Sequence, residues 1–273
     1  MHEQTIKSIA ETLTKSNEEV LSPGLLYGKM GIVVYFFHYA RYTGDKSYKD
    51  YAIVLMKNIK EQLLQQHVIN YADGLAGIGA AVEYLAQNNF VKVNTNEVLE
   101  EFDKKIFLET VYGERTNASL FTGLSGLGRY FLFRIAGNYA NDNHIGTLNN
   151  KMSLIHITDT LERMCHTLTE KENEDIFRFL YAMIQTKIYP QKVKRLIKTF
   201  SKYALHLNQY DLMWQYQRKM EEFQRKKYNE YLSDILLNTH FNTVPSLYGG
   251  LAGVGLYLLS KLDKKHEIWM KLL

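Results

Sequence analysis

A chain of 273 residues is long enough for one large domain with a substantial core, or for two small ones. With 46% hydrophobic and 23% charged residues it is neither disordered nor collagen-like. The balance of 33 Lys and Arg against 29 Asp and Glu leaves a net charge of +4, too small for a nucleic-acid binder without a concentrated patch.

Cys165 is the single cysteine, which excludes an intramolecular disulfide and any multi-cysteine metal site built by one chain. Residues 1–15 mix His2, Glu3, Lys7 and Glu11 with isolated apolar positions, whereas a signal peptide needs a continuous apolar run. The apolar stretch 32–37 is far shorter than the roughly 20 residues that cross a bilayer. A cytoplasmic protein without a membrane span is expected.

Only 3 prolines occur, and stripes at the 3.6-residue helical period recur along most of the chain, so helix is expected throughout. The first distinctive segment is Leu26-Tyr27-Gly28-Lys29-Met30-Gly31-Ile32, after Pro23, and it opens an apolar helix over 32–37. An amphipathic, charged stretch follows at 47–66. The second segment, Ala72-Asp73-Gly74-Leu75-Ala76-Gly77-Ile78, is followed by a charged stretch at 96–109. The third is Phe121-Thr122-Gly123-Leu124-Ser125-Gly126-Leu127. The fourth, Tyr248-Gly249-Gly250-Leu251-Ala252-Gly253-Val254, follows Pro245. Of the 17 glycines, 12 lie in these segments, counting Gly79, Gly128 and Gly255 two positions further on.

Such clustering is the signature of a repeat, and it gives the glycines positional meaning. The first of each pair suits a φ > 0 turn; the later ones let a helix start pack backbone-close on a neighbour. Each repeat reads as a helical hairpin with a buried inner helix and an outer helix with one wet face. Between Gly123 and Gly250 there is room for two degenerate repeats. The expected fold class is all-α: about six helical hairpins closed into an (α/α) toroid or barrel, a single domain over 1–273 with atypical repeats over 140–240.

A helix-opening Gly-x-x-Gly-apolar-Gly recurring every 45 to 50 residues resembles the lanthionine synthetase C-like family. Residues 245–259 look like that family's final repeat, and 22–45 like the first repeat of a short bacterial branch. The resemblance implies a toroid tied to modification of ribosomally made peptides. Active members are zinc enzymes that add cysteine thiols to dehydrated residues of a precursor peptide. Zinc lowers the pKa of the bound thiol, giving a thiolate near neutral pH. That chemistry requires a Trp-Cys-x-Gly and a later Cys-His-Gly motif, and this chain cannot supply two cysteines.

Cys165-His166 is the weak metal candidate, but Thr167 stands where the glycine should be, and Leu161, Met164 and Leu168 place the pair on an amphipathic helix. A structural thiol is expected. Trp214-Gln215-Tyr216-Gln217 reads as a core aromatic segment. The family's acidic residue near an early inner helix is replaced by Asn70. Asp73 is the nearest carboxylate, a weak catalytic candidate whose ordinary role would be a helix N-cap.

Residues flanking the motif glycines would line the toroid mouth: Tyr27, Lys29, Tyr71, Asp73, Thr122, Ser125, Arg129 and Tyr248. Only one is a carboxylate, so the paired acid and base of a glycosidase lack support. No Gly-x-Ser-x-Gly and no His-Glu-x-x-His occurs. Basic stretches at 192–202 and 225–227 read as solvated helix faces, or as a dock for an acidic leader peptide.

The expectation is a binding or scaffold component, with no cofactor, that holds a precursor peptide or a modification-pathway protein without zinc chemistry. Neither a nucleic-acid partner nor a membrane span is expected. The alternative is a toroid enzyme acting on a peptide or sugar through Asp73 and the rim tyrosines.

Overall fold

The computed structural model describes residues 2–16, 21–63, 68–114, 117–140, 144–165, 167–204, 226, 229 and 244–273. Among them there are helices and no strands. The helices are α1 (His2–Lys15), α2 (Lys29–Thr43), α3 (Lys46–Leu63), α4 (Leu75–Gln87), α5 (Thr95–Val98) and α6 (Glu100–Tyr112). They continue as α7 (Leu124–Ala140), α8 (His144–Met164), α9 (Glu170–Gln185), α10 (Pro190–Ala204) and α11 (Leu251–Leu262), with a 3₁₀ segment at Lys264–Leu272.

Inner and outer helices differ as the patterning requires. Every residue of α2 from Lys29 to Tyr39 is buried. In α3 only Ala52, Leu55 and Ile59 are, a single stripe at helical spacing with Ile53 and Val54 left outside. Gly44 ends α2 in the left-handed region (φ 74), its N–H donating to Ala40 O, which turns the chain into α3. The outer stretch expected at 96–109 is broken at Leu99 into α5 and α6.

The chain forms two compact units. In the first, residues 1–67 and 217–273, α2 packs on α3 and α11, and α11 packs on α1 and the 3₁₀ segment. In the second, residues 68–216, the hairpins α4–α6, α7–α8 and α9–α10 stand in succession, α4 against α7 and α7 against α9. The α9–α10 hairpin lies where the first of the two expected degenerate repeats falls. The other, with Trp214 and the basic run at 225–227, falls almost wholly outside the described residues.

Four inner helices share one entry. The first helical N–H reaches back to a carbonyl six residues before the cap glycine: Lys29 to Ser22 (2.8 Å), Leu75 to Val68 (3.0 Å), Leu124 to Asn117 (3.3 Å) and Leu251 to Val244 (2.9 Å). An amide otherwise left open at the helix start is thereby satisfied by the chain's own backbone. The loop then lies so close to the cap that no Cβ fits. One added at Gly28 would meet Ser22 O at 2.3 Å, at Gly74 Val68 O at 2.6 Å, and at Gly250 Val244 O at 2.5 Å.

This corrects the expected reason for the first glycine. Gly28, Gly74 and Gly250 have φ of −127°, −109° and −134°, extended values open to any residue. Space selects glycine here; handedness does not.

The later glycines do what close packing asks of them. A Cβ on Gly31 would meet Leu247 Cβ at 2.6 Å, and one on Gly126 would meet Tyr71 Cβ at 2.6 Å. Further along, Gly79 lies against Tyr130, Gly255 against Tyr35, and Gly128 against Phe179. Three of the four motif repeats thus seat an aromatic ring of a neighbour where a side chain would be; the first has Val33 at that place. Gly77 and Gly253 are buried on α4 and α11.

Gly126→Ala, pressed against Leu120 O at 2.2 Å as well as Tyr71, is expected to lower unfolding free energy by about 2–3 kcal/mol. Gly44→Ala, with nothing within 4 Å and only the left-handed φ against it, should cost about 1 kcal/mol. Urea denaturation of the two variants reads the difference.

The first unit is closed by a contact between distant parts of the sequence. His38 of α2 and His266 of the 3₁₀ segment are both buried, with Nδ1 atoms 2.8 Å apart. A bond between two ring nitrogens needs one donor and one acceptor, so His38 and His266 cannot both be protonated there. Burial pushes both rings below the usual histidine range; the other ring and Arg41 add to this for His38, while Asp263 opposes it for His266.

The unfolded chain therefore takes up protons near pH 6.5 that the native one refuses. Stability should hold above pH 6.5 and fall below it, by up to about 1.4 kcal/mol per pH unit for each ring. Thermal melts from pH 7.5 to 5 test this, with a shallower fall expected for the His38→Phe/His266→Phe double variant.

Candidate functional site

The expected rim residues fall into two groups, one in each unit. In the first unit the loops before α2 and α11 are joined by Tyr248 N–H donating to Leu26 O at 2.9 Å. That bond brings Tyr27 and Tyr248 together, edge to face with ring centroids 6.0 Å apart. Tyr27 is 45% exposed, so a large aromatic surface faces outward at the N-terminal ends of these helices. Lys29, one residue inside α2, is buried.

In the second unit the loops before α4 and α7 are joined through Phe121 O, which accepts from the N–H groups of Tyr71 (3.1 Å) and Ala72 (3.0 Å). Tyr71 is fully buried and paired with Arg129; burial raises its pKa and the guanidinium opposes the rise. Tyr71 is therefore a packed residue. Thr122 is exposed and its N–H donates to Ser119 Oγ at 3.2 Å, a loop contact. Ser125 is buried, with no hydrogen-bond partner for its hydroxyl among the described residues.

Asp73 is half-buried, and the cap of α4 is Gly74, with no side-chain cap bond. The expected N-cap role for Asp73 is thus not what the helix uses. Asn70 shapes this turn instead, its Oδ1 accepting the Asp73 N–H at 2.9 Å.

The hairpin α9–α10 lacks the glycine motif, and carboxylates do the work of the missing loop. Asp175 Oδ2 accepts from Leu120 N–H at 2.8 Å and Glu172 Oε1 from Ala118 N–H at 2.9 Å. Burial raises the Asp175 pKa against the pull of the Leu120 amide. For Glu172 burial also opposes the charge, but the Ala118 and Thr169 amides outweigh it and hold the group low. The sequence signal was faint: Thr169 and Glu172 form a capping box, a Thr-x-x-Glu pattern of ordinary appearance.

A second feature escaped the sequence reading. Arg134, fully buried in α7, is bound by Glu83 of α4 and by Asp103 of α6, with Asn96 and the Tyr130 hydroxyl completing the set. Gly137 leaves room for the Glu83 carboxylate, which a Cβ would overlap at 1.9 Å. This network ties inner helices to an outer one and is structural.

The basic stretch of α10 is partly neutralised: Lys192 pairs with Glu162 and Asp159, and Arg195 with Glu162. Beside it Tyr189, Pro190, Gln191, Lys192 and Arg195 line an open cleft. Cys165 is partly exposed and lies one residue past the end of α8, its N–H donating to Glu162 O; His166 lies outside the described residues. Among the described residues no three His, Cys, Asp or Glu gather closely enough to hold a metal ion.

Helical hairpins whose inner helices open on paired glycines, with loops of adjacent repeats hydrogen-bonded to each other, define an all-α repeat protein of the (α/α) toroid class. The model of the lanthionine synthetase C-like protein family matches residues 19–176, more than half of the chain, and the chain belongs to that family. The matched span holds the first three glycine motifs and ends inside α9. No curated protein matches the sequence.

Membership carries an association with peptide modification. Cys165, the single cysteine, stands at the end of an outer helix, so the chain holds one thiol where a two-thiolate zinc site would need two.

Asp175→Leu should cost about 1–3 kcal/mol in urea denaturation by leaving the Leu120 amide unsatisfied. Asp175→Asn, which keeps an acceptor oxygen and sheds the buried charge, should stay within about 0.5 kcal/mol of wild type.

Proposed function

We propose that this protein is a binding or scaffold component of a pathway that modifies ribosomally made peptides, holding a precursor peptide or a modification-pathway protein without zinc-dependent cyclase chemistry. The observation that carries the reading is the donor set: a member of this family with a single cysteine has no pair of thiolates to bind zinc and activate a thiol.

The Tyr27–Tyr248 pair supports a peptide as the ligand. Tyrosine offers a rigid apolar face and a polar tip at low entropic cost, which suits it to gripping a flexible chain. Its place at the N-terminal ends of α2 and α11, on loops fixed to each other by the Leu26–Tyr248 backbone bond, keeps both rings oriented before a ligand arrives. Among the described residues no helix is long and apolar enough to cross a membrane, and the cytoplasm, where such peptides are made, is the compartment proposed.

Two measurements test this. Elemental analysis of protein purified from zinc-supplemented medium should find well under one zinc per chain; stoichiometric zinc lost in Cys165→Ser would overturn the reading. Panning a displayed random peptide library on the protein should recover binders whose affinity falls about tenfold or more in the Tyr27→Ala/Tyr248→Ala double variant. Failure to enrich any peptide would count against a peptide ligand.

A further inference from the structure

Helix α10 carries five basic residues and no acidic one, and from Ile176 to Tyr210 the chain has no Asp or Glu at all. Val193, Leu196, Ile197 and Phe200 form its buried stripe. Gln191, Lys194, Arg195 and Lys198 are exposed at the same helical spacing, so these cations share one face. Neighbouring helices answer cations from within: Lys104 of α6 pairs with Glu100 and Glu101, and Arg178 of α9 with Glu174. Helix α10 has no carboxylate of its own to do so.

The first turns of α10 border the open cleft, about 480 Å³ in volume and lined by Tyr189, Pro190, Gln191, Lys192 and Arg195. Tyr189 is 37% exposed there and held at a φ of 51°, a left-handed conformation uncommon for so bulky a residue. Lys192 Nζ lies 5.8 Å from the centroid of its ring, so aromatic surface and positive charge are offered side by side.

The fold itself shows what these cations accept. Glu162 of α8 lays one carboxylate oxygen on Lys192 and the other on Arg195, the latter at 2.8 Å, and Asp159 adds a second carboxylate to Lys192 at 3.2 Å. The spacing of ammonium and guanidinium thus fits a side-chain carboxylate. The Arg195 side chain remains 64% exposed, so its pair with Glu162 leaves it open to a further acceptor.

We propose that the cleft and the exposed face of α10 bind an acidic segment of a peptide. Its carboxylates meet Arg195, Lys194 and Lys198 along the helix, and an apolar side chain rests on Tyr189. Nucleic acid fits this surface less well: the net charge is only +4, and the cleft offers one ring where a single strand needs a series to stack on. That the acidic segment belongs to a precursor peptide rests on the proposed function; the preference of the cleft for carboxylates does not.

The test is fluorescence anisotropy of the full chain with a labelled peptide of alternating Glu and Tyr, and with its Gln-for-Glu counterpart. The Glu peptide should bind about tenfold more tightly than the Gln peptide, and weaken as salt is raised. Lys194→Gln/Lys198→Gln should reduce binding of the Glu peptide about fivefold, and Tyr189→Ala about threefold. Glu162→Gln removes the internal competitor for Lys192 and Arg195 and should strengthen binding about threefold, whereas Glu101→Gln, the same change of net charge on α6, should leave it unmoved. Melting curves confirm that each variant is folded; the lysine pair is exposed, so its readout stands even where loss of the Glu162 contacts loosens α8 from α10.

Equal binding of the Glu and Gln peptides, or equal effects of Glu162→Gln and Glu101→Gln, would overturn the proposal by reducing it to general stickiness or net charge. A labelled oligouridylate bound as tightly as the Glu peptide, and lost in the same lysine variant, would overturn it in favour of nucleic acid. Either result would leave peptide recognition by Tyr27 and Tyr248 standing, since that is read by library panning.

Discussion

The structure depends on a lack of room. Before each glycine-motif inner helix the chain curls back so that the first helical amide meets a carbonyl six residues ahead of the cap, and the loop backbone occupies the space of a cap Cβ. The same economy recurs one turn later, where glycines on one inner helix receive an aromatic ring from the next. Side chains at these points would hold the helices apart, and the contacts between loops of adjacent repeats would go with them. The glycines and the hydrogen bonds are two sides of one arrangement.

Where the motif is missing, the fold keeps the bond and changes the acceptor. Leu120 stands three residues before its cap glycine, as Tyr71 does before its own. The Tyr71 amide is met by a backbone carbonyl and the Leu120 amide by the Asp175 carboxylate. A carboxylate on a helix can reach an amide that a tight loop would otherwise have to approach, so the glycine ceases to be necessary. Its expense is a buried charge, seen in the raised pKa of Asp175.

Two sets of enclosed titratable groups are met by partners. Arg134 is met by two carboxylates and is fully enclosed, a set whose geometry offsets much of its desolvation. His38 and His266 answer each other as neutral rings.

The sequence alone determined the helical class, the inner and outer helices, the positions of the glycines and the impossibility of a two-thiolate zinc site. These follow from local periodicity and composition, which need no knowledge of neighbours. Tertiary structure decided the rest. It showed that the cap glycines answer to crowding, at φ values any residue could adopt, because the crowding atoms come from a loop whose path no spacing rule prescribes. It sorted the rim residues, sending Tyr71 into the core against Arg129 and leaving Tyr27 outside with Tyr248. It also paired His38 with His266, 228 residues apart. Partners so distant in sequence are set by how helices pack, and that geometry is a property of the assembled chain.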